Sequence, residues 1–201
     1  MSIISLTFDD GYLIHYDIAK KLYHMDIQAT FFIITGLKTY AGKDLLTSKP
    51  EFIKDITDMG HEIGSHTETH RDLTTLRSWE IEKEFINSLN FIKRYTEEPV
   101  GLAYPYGSFN HIVVDIAKKY FVYARTMGSY NRWNNIRDMF SIGGIGARHL
   151  PKIILKRFFT RRFKLAVLVF HEDIKLAITF AKILRDLGFK IKPLKEAVKI
   201  L

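Results

Sequence analysis

Short runs of apolar and β-branched residues recur along the chain, and between them apolar positions return at intervals of three and four. The first pattern predicts strands near Ile3–Phe8, Ala29–Ile34, Glu62–Ser65, Val100–Tyr104, Phe121–Arg125, Met139–Ile142, Leu165–Phe170 and Phe189–Lys192. The second predicts helices over His15–His24, Pro50–Met59, Ser78–Tyr95, Asn110–Lys119, Lys152–Thr160, Ile174–Leu187 and Leu194–Ile200. Pro50 suits the first turn of its helix, and Gly60 and Gly188 suit C-terminal stops. Gly36–Ser48 and Met127–Asp138 carry neither periodicity and read as loops. With no repeat, low-complexity tract or linker, this alternation predicts one α/β domain over residues 1–201, built on a parallel sheet with helices outside.

An open sheet and a closed barrel both satisfy that pattern, and the polar residues decide between them. Asp9 and Asp10 follow the first strand, His66 the third, and Tyr104-Pro105-Tyr106-Gly107 the fourth. Arg125 ends the fifth, and His171 follows Leu165–Phe170. An open sheet feeds one crevice from few strands, whereas a barrel brings the C-terminal ends of all its strands to one mouth. The expected fold is a (β/α) barrel of about seven or eight parallel strands.

Two clusters carry candidate chemistry. His66 and His70 stand four residues apart, and one turn of helix-like backbone would put both imidazoles within reach of a single cation. Asp9 and Asp10 would face opposite sides of a regular strand, so the strand must end there. Gly11 permits the turn that brings both carboxylates to one pocket, one to bind a metal and the other free as a base. The competing reading of Asp-Asp-Gly is a helix N-cap, and of His171 a core histidine. His15, His24, His61, His111 and His149 have no partner pattern and read as surface or core. Trp79 is a core candidate, and Trp133 a loop residue able to line a binding groove.

Thr7-Phe8-Asp9-Asp10-Gly11, His66-Thr67-Glu68-Thr69-His70, Tyr104-Pro105-Tyr106-Gly107 and Leu168-Val169-Phe170-His171 resemble, in order and spacing, the motifs of the polysaccharide deacetylase family. That family comprises the NodB-homology domains of carbohydrate esterase family 4. The resemblance implies a distorted (β/α) barrel and metal-dependent removal of N-acetyl, sometimes O-acetyl, groups from glycans. It implies Asp10, His66 and His70 as metal ligands, Asp9 as general base and His171 as general acid. Zn²⁺ is the first choice of ion, with Fe, Co and Ni as alternatives that imidazole and carboxylate also suit. The backbone N–H of Tyr106, beside the rigid Pro105, is a natural oxyanion donor, and Tyr104 and Tyr106 are candidates to stack on a sugar.

Two departures from the family pattern bear on activity. An arginine usually stands two residues before the proline of the third motif, where this chain has Ala103, and the fourth motif's Asp and Trp are not evident. Arg125, at the end of the neighbouring strand, is placed to supply the guanidinium that would hold Asp9 ionised and oriented. The other readings are an amidohydrolase of the same superfold acting on a small cyclic amide, and a glycan-binding module with a decayed site.

Composition narrows the setting. A hydrophobic content of 47% over 201 residues suits a well-cored domain, and the absence of cysteine excludes disulfides and thiolate metal sites. No signal-peptide pattern or long apolar run is evident, so the expected location is cytoplasmic. The net charge of +8 favours anionic surroundings without indicating a nucleic-acid partner. The cationic face of Lys152–Arg162 raises peripheral contact with anionic membrane as a further expectation, against the plainer reading of a solvated basic face.

Overall fold

A computed structural model describes residues 3–97, 100–128, 138–146 and 164–200. Its strands are β1 (Ile3–Phe8), β2 (Thr30–Ile33), β3 (Thr39–Tyr40), β4 (Lys43–Asp44), β5 (Glu62–Ser65), β6 (Leu102–Ala103), β7 (Ala124–Met127), β8 (Ile142–Gly146), β9 (Leu165–Phe170) and β10 (Lys190–Ile191). The helices are α1 (His15–Tyr23), α2 (Glu51–Asp58), α3 (Ser78–Ile92), α4 (His111–Tyr120), α5 (Ile174–Asp186) and α6 (Leu194–Lys199). Strands β1, β2, β5, β6, β7, β8 and β9 pair in parallel in that order, and β9 pairs back onto β1 along its whole length. The result is a closed seven-stranded (β/α) barrel. The last strand adds to it without entering the ring. β10 pairs with Ile3 and Ile4, beneath β2, which pairs with Thr7 and Phe8 on the same side of β1.

Alternation along the strands divides the core in two. Ile4, Leu6 and Phe8 pack outward against the helices, in a cluster with Phe31, Ile63, Leu102 and Phe170. Ile3 belongs instead to the barrel interior, with Phe32, Ala103, Tyr123, Ile142 and Val167. The pleat therefore points Ser5, Thr7 and then Asp9 inward. At the opposite end from Asp9, Glu62 closes the barrel. Its carboxylate accepts hydrogen bonds from Tyr123 Oη (2.7 Å), Thr30 Oγ1 (2.8 Å) and the Lys195 N–H (2.9 Å). Burial nevertheless holds that carboxyl above its ordinary pKa.

Several sequence expectations shift. Gly36–Ser48 is not a plain loop, because β3 and β4 form a short antiparallel hairpin inside it. The strand expected at Phe121–Arg125 runs over Ala124–Met127, and the one at Met139–Ile142 over Ile142–Gly146, where glycines conceal it from propensity. Trp79 is not core; it lies exposed on α3. His15 and His61 are buried, and His24 and His111 exposed. Trp133, His149 and the Lys152–Thr160 helix with its basic face lie outside the described residues. Among the described residues, no helix is long and apolar enough to cross a membrane.

Candidate active site

β1 ends in consecutive left-handed residues. Asp10 has φ 71° and Gly11 φ 76°, and this turn brings Asp10 to the same mouth that Asp9 faces by strand alternation. A side chain at Gly11 would also fail on space, since a Cβ there would sit 2.9 Å from the Ile33 Cβ.

The histidines follow β5, and the segment joining them is not the helical turn suggested by their spacing. Thr67 (φ 67°) and His70 (φ 60°) are both left-handed, a conformation costing about 1–3 kcal/mol at each residue when L and β-branched side chains adopt it. Side-chain bonds hold the loop in that shape. Thr67 Oγ1 accepts from the His70 N–H (3.1 Å), and Ser65 Oγ accepts from the Thr67 N–H (3.1 Å). From α3, Glu84 accepts the Thr69 N–H (2.8 Å) and its hydroxyl, while Asn87 donates to Glu68 (2.9 Å). Sequence reasoning missed Glu84, although the signal was there: Ile81, Glu84, Phe85, Ser88 and Ile92 share the buried stripe of α3.

Asp10, His66 and His70, all buried, form the cluster among the described residues that could hold a metal ion. The Nε2 atoms of the two histidines are 3.2 Å apart, and each lies 3.5 Å from Asp10 Oδ1. A tetrahedral centre with bonds of about 2.0–2.1 Å has ligand–ligand edges of about 3.3–3.4 Å, so this triangle fits such an ion. Protonation agrees. The backbone oxygen of Ala103 accepts from His66 Nδ1 at 2.8 Å, which fixes that tautomer and leaves Nε2 a lone pair aimed into the cluster. Burial, reinforced by His66, lowers the His70 pKa to about 4, so this imidazole is neutral near pH 7. Burial alone would raise Asp10, but the adjacent imidazoles, His66 foremost, outweigh that and bring it to about 2, so it is a carboxylate near pH 7. One carboxylate and neutral imidazoles are the donor set a catalytic divalent ion takes.

Beside the triangle, Arg125 Nη2 donates to both oxygens of Asp9, at 2.5 and 2.6 Å. Arg125 is wholly buried, its guanidinium carbon 5.3 Å from the centre of the Phe32 ring. In the β6–β7 register its Cα stands directly opposite Ala103, so both side chains face the barrel interior. Gly144 makes the room. A Cβ there would come within 2.6 Å of Val169 and 3.3 Å of the Arg125 side chain. Among the described residues, Arg125 Nε and Nη1 have no hydrogen-bond partner. A buried cation with unused donors is costly, so the contact with Asp9 is what this arginine specifically provides.

These groups line a cavity of about 250 Å³, together with Tyr40, Tyr104, Tyr106 and His171. His171 is solvent-exposed at the rim, and its carbonyl accepts from Nε2 of the buried His15 at 2.5 Å. Tyr106 has φ 60° in the Pro105–Gly107 turn, is 64% exposed, and sets its ring 4.8 Å from that of His70. The hydrogen bonds of this turn run from Gly107 and Ser108 to Tyr104 and Pro105, and none uses the Tyr106 N–H. Tyr104 departs from expectation. It is 1% exposed, stacked on Phe109, and its hydroxyl donates to the Phe140 carbonyl (3.1 Å), so its ring is not free to meet a sugar. Tyr40, which sequence reasoning passed over, comes from the β3–β4 hairpin. Burial and a hydrogen bond with Tyr106 raise its pKa to about 12, so its hydroxyl keeps its proton.

Comparisons with known proteins agree with this geometry. The family model described as polysaccharide deacetylase matches residues 2–124. Over 119 residues the chain is 29% identical to a peptidoglycan-N-acetylglucosamine deacetylase of Bacillus cereus, covering 58% of this chain and 52% of that one. It is 30% identical over 120 residues to a chitooligosaccharide deacetylase of a Bradyrhizobium species, covering 58% and 51%. The chain thus spans about half the length of these curated relatives. Among solved structures, a CE4-family pseudoenzyme from Bacillus anthracis shares the fold at a TM-score of 0.70 and 23% identity, over 98% of this chain and 65% of that one. A family 4 carbohydrate esterase from Streptomyces lividans does so at 0.68 and 16% identity, over 94% and 91%. With the family model covering more than half of its length and the motif residues gathered at one barrel mouth, this chain belongs to the polysaccharide deacetylase family.

Proposed function

We propose that this chain is a divalent-metal-dependent hydrolase that removes N-acetyl groups from the amino sugars of a glycan or lipid-linked saccharide. The observation that carries the reading is the triangle of Asp10 Oδ1 and two Nε2 atoms, set beside a second carboxylate held by an arginine. An ion held by Asp10, His66 and His70, Zn²⁺ by preference, would supply Lewis-acid polarisation of the acetyl carbonyl and a lowered pKa for an adjacent water. Asp9 takes a proton from the attacking water as its oxygen bonds to the acetyl carbon, and Arg125 keeps the carboxylate aimed at that task. The negative charge that builds on the acetyl oxygen faces the Tyr106 N–H. His171, across the cavity, gives a proton to the amide nitrogen as the C–N bond breaks, leaving acetate and a free amine.

Ala103 had suggested a decayed binding module. The guanidinium from Arg125 supports the enzyme reading instead, as does the presence of Asp9, Asp10, His66, His70 and His171 at one mouth. The full ligand triad also weighs against a metal-independent cyclic amidohydrolase. The test is a panel of N-acetylglucosamine oligomers, peptidoglycan fragments and lipid-linked N-acetyl sugars, each scored for acetate and new amine in equal amounts. Equal release from at least one N-acetylated saccharide is the expected result. Release from O-acetyl esters alone, or from none of the panel, contradicts the proposal.

A further inference from the structure

The two metal-facing imidazoles are anchored differently. His66 gives its Nδ1 proton to a backbone carbonyl, an acceptor that no substitution removes. The Nδ1 of His70 faces a side chain, the Tyr40 hydroxyl, at 2.9 Å, with the two ring centres 4.7 Å apart. Either atom could donate in that pair, so the chemistry of the cluster decides. If His70 carried its proton on Nε2, an N–H would point into the space between Asp10 and His66 and block a cation. With the proton on Nδ1, Tyr40 must be its acceptor.

Resting on the metal-site reading above, we infer that Tyr40 is a positioning residue. Its oxygen accepts the Nδ1 proton of His70 and so holds the Nε2 lone pair toward Asp10 and His66. Partners of this kind fix tautomer and ring orientation in metal-binding histidines.

The hairpin gives Tyr40 little freedom to drift. Tyr40 pairs with Lys43 across the β3–β4 turn. The Leu13 N–H donates to the Asp44 carbonyl, and the Leu46 N–H to that of Gly11, both at 2.8 Å. Tyr12 bridges Leu45, so the β4 side of the hairpin is tied to the segment that carries Asp9 and Asp10, and the β3–β4 pairing carries that tie to Tyr40. Lys43 also pairs with Glu172, the residue after His171. The hairpin therefore spans the loops bearing the carboxylates and the rim histidine, and sets its tyrosine against the remaining ligand.

The test is Tyr40→Phe in the full chain, which removes the acceptor oxygen and keeps the ring. Two quantities are read: Zn²⁺ affinity by competition with a chromophoric chelator, and the His70 ring tautomer by long-range ¹H–¹⁵N correlation in the metal-free protein. The parental protein should show the Nδ1–H tautomer at His70. The variant should show a mixture and bind Zn²⁺ about 10–100-fold more weakly. Unchanged affinity in the variant, or an Nε2–H tautomer in the parent, overturns the inference about Tyr40 and leaves the metal site standing. A parental protein that binds no divalent ion overturns the metal reading itself.

Discussion

Removing Arg125 is the perturbation whose consequences the structure defines most sharply. The guanidinium is fully buried and contacts both oxygens of a carboxylate that is itself 5% exposed. Arg125→Ala leaves Asp9 as a buried charge without its partner, which in general costs about 3–5 kcal/mol of folding stability. Turnover should fall with it, because Asp9 loses the contact that aims it at the attacking water. Metal content should not change, because Arg125 makes no contact with Asp10, His66 or His70 among the hydrogen bonds described. Ala103 faces Arg125 in register, so adding Ala103→Arg returns a guanidinium to the volume just vacated and should recover part of both losses. The assay combines metal analysis, a melting curve and turnover for the parent, the single variant and the double variant. A single variant with parental turnover would refute the role given to this arginine.

Two further predictions separate chemistry from binding and activity from stability. Asp9→Asn and His171→Ala should each retain the metal and lose turnover by about 100-fold or more, since each removes a proton-transfer partner; loss of metal from either variant would mean that a ligand has been misassigned. Burial lowers His15 and His61 to about 4, so the folded chain resists protons that the unfolded chain takes up near pH 6.5. The stability linked to these histidines is thus complete above about pH 6.5 and lost as pH falls toward about 4, by about 3 kcal/mol for each. Glu62, with its raised carboxyl, acts in the opposite sense. Melting temperature against pH should fall across that window, less steeply in His61→Gln, and an equal slope in that variant would contradict the assignment.

What the sequence made legible follows from which physical signals are local. β1 and β9 were readable residue for residue because their apolar runs end abruptly in polar turns, and β5 because Ile63 stands just before the His66–His70 motif. The cluster that could hold a metal ion was readable because motif and strand end coincide at Asp10 and His66. Arg125 was readable as a partner for Asp9 only through topology, since consecutive parallel strands are neighbours and it stands opposite Ala103. The β3–β4 hairpin left no trace in periodicity, since each of its strands has two residues and its bonds reach back to Gly11 and Leu13. Tyr40 was hidden with it. Tyr104 lines the mouth as its motif suggested, but its burial against Phe109 and its bond to Phe140 are tertiary facts that the motif does not carry.

The central claim is that acetyl hydrolysis depends on an ion held by Asp10, His66 and His70. The most direct measurement follows acetate release from an N-acetylated saccharide on one preparation, alongside metal content, through exhaustive chelation and stepwise return of Zn²⁺. Release should vanish as the metal is removed and recover in proportion to occupancy, saturating at about one ion per chain, and His66→Ala should neither hold the ion nor recover. Undiminished acetate release from protein shown to be free of metal would contradict the claim.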